Sequence, residues 1–253
     1  DEMANERRSI QAELLISKNE DKALAQLKKL LAKHKGSGLE PSLQFRLAEL
    51  YMRKSKTANF FEMFRENGMT IKFAPKLVKN ATTRDWIKKS VDVYDYIENK
   101  FPTYSDMDLV LFNNGFFRIQ LGDEMGAQKK FQRVIRDFPE SHLVPDSLLA
   151  VGEVYFNHKQ FQMAYDEFQQ IRKFPESRVY PYGLYKGAWA LYNLTMTAQA
   201  LSQLEEVVTF SKANRENNDG RLDLTREALN DMVLYYEDVK KPDDAVDYFR
   251  KWG

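Results

Sequence analysis

The sequence contains no cysteine, which excludes disulfides, thiol nucleophiles and thiolate metal sites. That absence suits an oxidising envelope and the cytosol equally, so it does not locate the protein. No apolar run approaches the ~20 residues needed to span a bilayer, and no signal-peptide pattern is visible. Neither sign of charge dominates: 38 Lys and Arg stand against 37 Asp and Glu. Nucleic-acid binders carry a basic stripe, and here Lys and Arg are scattered. Histidine is scarce, and His34, His142 and His158 lie far apart. No His-x-x-x-His pair or acidic triad offers a metal site. There is no phosphate-cradling glycine loop and no Gly-x-Ser-x-Gly elbow. Residues 214–220 are acidic and amide-rich, but they lack the alternating ligands and terminal Glu of a calcium loop. No catalytic residue, no metal and no cofactor is therefore expected, and no nucleic-acid partner. No strand-like alternation stands out.

What is present is a period. Phe138-Pro139-Glu140-Ser141 recurs as Phe174-Pro175-Glu176-Ser177, with a partial copy at Phe101-Pro102-Thr103-Tyr104, at intervals of 37 and 36 residues. An internal period in this range marks a repeat array. Anchors twelve residues apart carry the same period: Gln11/Ala23, Ala48/Phe60, Gly115/Ala127, Gly152/Ala164, Ala188/Ala200 and Val233/Ala245. Four residues after each second anchor stands Leu27, Phe64, Phe131, Phe168, Leu204 or Phe249. A degenerate unit fits at Val78, Ser90 and Tyr94. Residues four apart share a helix face. The pattern therefore predicts helical hairpins, in which small anchors let two helices approach and the ring one turn later fills the gap beside them.

These residues resemble the tetratricopeptide repeat family. The clearest copy is Leu148, Val151-Gly152, Tyr155, Ala164, Phe168 and Pro175. The resemblance covers nearly the whole chain, and residues 105–212 match best. Leu replaces the family's Trp, and Arg118 stands where Tyr is usual. The long unit with its aromatic-Pro-x-Ser loop is similar to the bacterial cell-envelope branch. That branch includes the outer-membrane β-barrel-assembly lipoprotein and the periplasmic coordinator of the Tol-Pal system. The resemblance implies an all-α, right-handed superhelical solenoid of antiparallel helix pairs. It also implies a non-enzymatic scaffold for protein partners, in periplasm or at the outer membrane, with cytoplasm the alternative.

The organisation expected is one solenoid over residues 1–253, a fragment of a longer protein, interrupted twice. Residues 55–85 break register and read as a short-helix insertion. Residues 211–224 read as a mobile loop. Helices are expected over 5–17, 21–35, 41–54, 58–67, 83–100, 105–121, 124–137, 145–157, 160–173, 181–194, 198–213, 222–238 and 242–251.

One ridge turns about 100° from the core ridge on the first helix of successive units. It carries Phe112, Phe116 and Ile119, then Leu149, Glu153 and Phe156, then Tyr185, Trp189 and Tyr192, with Tyr182 beside them. Asn157 and Asn193 follow at matching places. In this family the first helices line the concave groove. The aromatic residues and the two asparagines, nine in all, are the expected partner-binding surface, with rings for apolar side chains and amides for the partner's backbone. The alternative open at this stage is that the ridge is core. A second function also stays open, an auxiliary or glycan-binding domain of a larger envelope enzyme.

Overall fold

The computed structural model describes residues 19–55, 64–66, 70–72, 77–217 and 222–252. Eleven helices run in chain order among them. They are α1 (residues 19–33), α2 (Glu40–Ser55), α3 (Ala81–Lys100), α4 (Met107–Leu121), α5 (Glu124–Asp137), α6 (Val144–Asn157), α7 (Phe161–Gln170), α8 (Tyr180–Asn193), α9 (Thr197–Asn217), α10 (Thr225–Val239) and α11 (Ala245–Arg250). Short 3₁₀ turns at Ile171–Lys173 and Pro242–Asp244 adjoin α7 and α11. Two three-residue strands, β1 (Phe64–Glu66) and β2 (Thr70–Lys72), pair antiparallel, with Arg65 opposite Ile71. Apart from this short hairpin the described architecture is all-helical, and within each unit successive helices pack on one another. Expectations placed on Gln11, Phe60 and the helix over 5–17 lie outside the described residues.

The repeated loop is a repeated hydrogen-bond pattern. Ser141 N–H donates to Phe138 O and Val144 N–H to Ser141 O; Ser177 and Tyr180 repeat both bonds with Phe174 and Ser177. Each serine hydroxyl then accepts a bond two residues on, from Leu143 N–H or Val179 N–H. Tyr104 holds the same place after Phe101, and Ser37 after His34. The last copy is invisible as a motif because only its serine is shared. Pro145 and Pro181 fall in the first turn of the next helix, where the missing N–H costs nothing. The turns inside the hairpins repeat too. Gly122, Lys159 and Thr195 all adopt positive φ, between 60° and 86°.

The chain divides into two compact units. The first comprises residues 1–62 and 75–130. In it α2 packs on α3 and α3 on α4, burying Ile87, Tyr94, Ile97, Leu111 and Phe117. Tyr94 stacks on Phe117 with centroids 6.2 Å apart. Arg118 ties α3 to the end of α4. Its guanidinium reaches Asp95 of α3 and Asp123 of the turn after α4, each at 2.6 Å. Asn114 bonds Asp95 from the same helix face. Burial works against the charge of Asp95, yet bonds from Asn114 and Arg118 hold its pKa below the ordinary carboxylate value. Asp123 is lowered by Arg118 in the same way, again against burial.

The second unit comprises residues 63–74 and 131–253. Here α6 to α10 pack each on the next. Gly152 of α6 approaches α7 closely: a methyl built on it would stand 2.4 Å from Phe168 Cε1, and Ala164 is fully buried. Ala188, Ala200 and Leu204 are buried likewise.

Three expectations need correction. At residues 64–66 and 70–72 the insertion is not helical: β1 and β2 pair there. The Asn67-Gly68 dipeptide between them is a strong hairpin signal. The insertion also splits a helix pair. Ser90 Oγ donates to Ala48 O at 2.8 Å, so the partner of α2 is α3, beyond the insertion. Next, α9 continues to Asn217, past the expected end at residue 213, and Arg215 pairs with Asp223 at 2.9 Å across the former loop. Finally, the register of α10 is one residue off. Val233 is 47% exposed while Met232 is fully buried, because the interruption before α10 resets its helical phase.

Candidate interaction surface

In the second unit, α6, α8 and α10 bring aromatic and acidic side chains together. Phe156 (α6) and Trp189 (α8) have ring centroids 6.4 Å apart. Tyr185 lies one turn before Trp189, at 5.6 Å. Tyr192 stacks on Tyr235 of α10 at 4.2 Å, with the rings 7° from parallel. Asp231 of α10 ties the helices: its Oδ2 accepts from Tyr185 Oη and from Trp189 Nε1, both at 2.7 Å. Lys186 Nζ stands 3.3 Å from Glu153 Oε1 and 4.1 Å from the Phe156 ring centre.

The nine expected residues divide by depth. Tyr182 and Tyr185 are buried, as are Phe112 and Phe116 in the first unit. Phe156, Trp189 and Tyr192 are half-buried, and Asn157 and Asn193 are exposed. Asn193 Nδ2 donates to Trp189 O at 2.8 Å. The available surface is therefore the C-terminal ends of α6 and α8. The buried tyrosines support it, and their rings offer no area to a partner. Asp231 was missed because nothing in the sequence separates an inward acid from a solvated one. Glu153 was read on the ridge with Phe156 but was given no role there.

Burial pushes the carboxyl groups of Asp146, Glu153, Glu167 and Asp231 above their ordinary pKa values. Asp146 is raised despite its 2.9 Å pair with Arg178. A raised carboxyl binds its proton more readily in the folded state, so its contribution to stability is lost as pH rises through the folded value. The expected result is a denaturation midpoint that increases as pH falls from neutral toward the ordinary carboxylate range, about 4. Asp95 and Asp123, being lowered, add no slope there and weaken the first unit only in stronger acid. Urea titrations at several pH values check this, and Asp231→Asn should flatten the slope. A midpoint that falls between those pH values contradicts it.

Residues 110–141 match the family model described as tetratricopeptide repeat. The segment runs from α4 to the end of the first Phe-Pro-Glu-Ser turn, so the likeness to that repeat covers one stretch of the chain. No curated protein gives a match. Among solved structures the chain is similar to a tetratricopeptide repeat protein from Parabacteroides merdae. Identity is 15%, coverage is 95% of this chain and 94% of that one, and the TM-score is 0.36. A likeness at that score decides nothing about this chain. Repeats of this kind typically serve as non-enzymatic scaffolds that bind other proteins. Among the described residues no helix is long and apolar enough to cross a membrane.

Proposed function

We propose that the protein is a non-enzymatic scaffold of a bacterial cell-envelope complex, and that the second unit docks an extended segment of a partner along the ends of α6 and α8. The observation that carries the docking reading is the half-buried rim of Phe156, Trp189 and Tyr192 beside the exposed amides of Asn157 and Asn193. Large rings held rigid by buried neighbours lose little entropy on binding and dominate interface energetics. The amides suit the backbone of an extended chain. The envelope setting rests on the long repeat and its aromatic-Pro-x-Ser loops. The second reading, a glycan-binding or auxiliary domain of a larger envelope enzyme, draws on the same rings.

Site-specific photocrosslinking tests the docking face. A benzoylphenylalanine at position 157 or 193 should give the same protein adduct, and one at the exposed Asp166 on α7 should not. Adducts only from position 166 would move the interface to the second helices. No protein adduct from 157 or 193, with glycan retained, would favour the second reading.

A further inference from the structure

The face of α10 that meets α8 carries two acids without a counter-ion. Asp231, Tyr235 and Asp238 are four and three residues apart, so they share one side of the helix. Asp231 is held by two neutral donors, the Tyr185 hydroxyl and the Trp189 indole. Tyr235 lies within reach of its charge, and Tyr192 within reach of the charge of the exposed Asp238. No described Lys or Arg forms an ion pair with either acid. A half-buried carboxylate without a cation is costly to keep, unlike Asp95, Asp123, Asp146 and Glu153, which each face a basic side chain. The surrounding rings suit a cation. The same surface already holds one, the Lys186 ammonium, 4.1 Å from Phe156 and 5.3 Å from Trp189, and Glu153 engages its charge.

We propose that Asp231 and Asp238, with the rings of Trp189 and Tyr192, form a subsite for a basic side chain, a lysine ammonium or arginine guanidinium, of a partner polypeptide. The carboxylates supply opposite charge, and the rings supply cation–π attraction in a partly desolvated site. This deepens the docking reading and rests on it for the source of the side chain. The subsite explains why an acid stands where Asn would accept the same two hydrogen bonds without a buried charge.

The test uses the full chain and three probes: acetyl-Ala-Lys-Ala-amide, its norleucine analogue and n-butylammonium. The Trp189 indole N–H resonance, assigned with Trp189→Phe, reports binding. The lysine peptide should give a saturable shift, the norleucine peptide none. Butylammonium should saturate only at higher concentration, because it lacks a backbone for Asn157 and Asn193. Asp231→Asn should weaken the lysine peptide at least about fivefold while raising the melting temperature, and Asp238→Asn should weaken it less. Equal shifts from the norleucine peptide, no shift from the lysine peptide, or unchanged affinity in Asp231→Asn would each overturn the subsite. Butylammonium binding as tightly as the peptide would overturn its polypeptide source. A partner adduct at position 193 without any cation response would reject this subsite alone. A cation response without an adduct would reject the docking reading alone.

Discussion

Gly152→Leu should lower stability by about 1–3 kcal/mol, because overpacking forces backbone or rotamer shifts. The clash is specific: even a methyl at position 152 would stand 2.4 Å from Phe168 Cε1 and 2.7 Å from its Cδ1. Phe168 is fully buried and is flanked by the 3₁₀ turn that ends α7, so its ring has no route to solvent. Phe168→Ala alone should cost about 3–5 kcal/mol by leaving a cavity. The informative quantity is their coupling. A leucine at 152 points into the space that the phenylalanine leaves, so the double variant should be more stable than the sum of the two losses allows, by about 1 kcal/mol or more. Urea denaturation of the four proteins measures it. Strict additivity would mean that the two residues do not share one contact, and the hairpin register would be wrong.

The second large effect separates support from surface. Tyr185→Ala should cost about 3–5 kcal/mol. It removes a buried ring and one of the two donors that hold Asp231. Phe156→Ala should cost about 1–2 kcal/mol, because its ring is half-buried and loses chiefly its edge contact with Phe161, at 5.2 Å, and that with Trp189. Equal losses in thermal melts would show that depth does not divide the ridge as described.

The hairpin register was legible because its signals are local in kind. Gly152, Ala164 and Phe168 recur at fixed spacing, and the Ser141 and Ser177 turns reuse one bonding pattern. What escaped was whatever the period does not encode. Ser90 and Tyr94 were seen as second anchors, but their partner Ala48 lies 42 residues back across the insertion, where spacing carries no information. Val233 was misplaced because a loop before α10 changes phase without changing composition. The ridge of rings was found by rotation about the helix axis. Rotation says which side a residue faces and not which end of the helix its neighbour covers. Tyr185 and Trp189 therefore share a face and differ in depth. Asp231 meets Trp189 from 42 residues away, a contact no single-sequence pattern shows.

The central claim is that the second unit binds a partner through the ends of α6 and α8. Its most direct measurement is the equilibrium affinity of the partner crosslinked at position 193 for the wild-type chain and for Phe156→Ala/Trp189→Ala. Circular dichroism of the same samples establishes that the variant is folded. Hot-spot rings contribute about 2 kcal/mol or more each, so the folded variant should bind at least about a hundredfold more weakly. A folded variant that binds the partner with wild-type affinity would contradict the account.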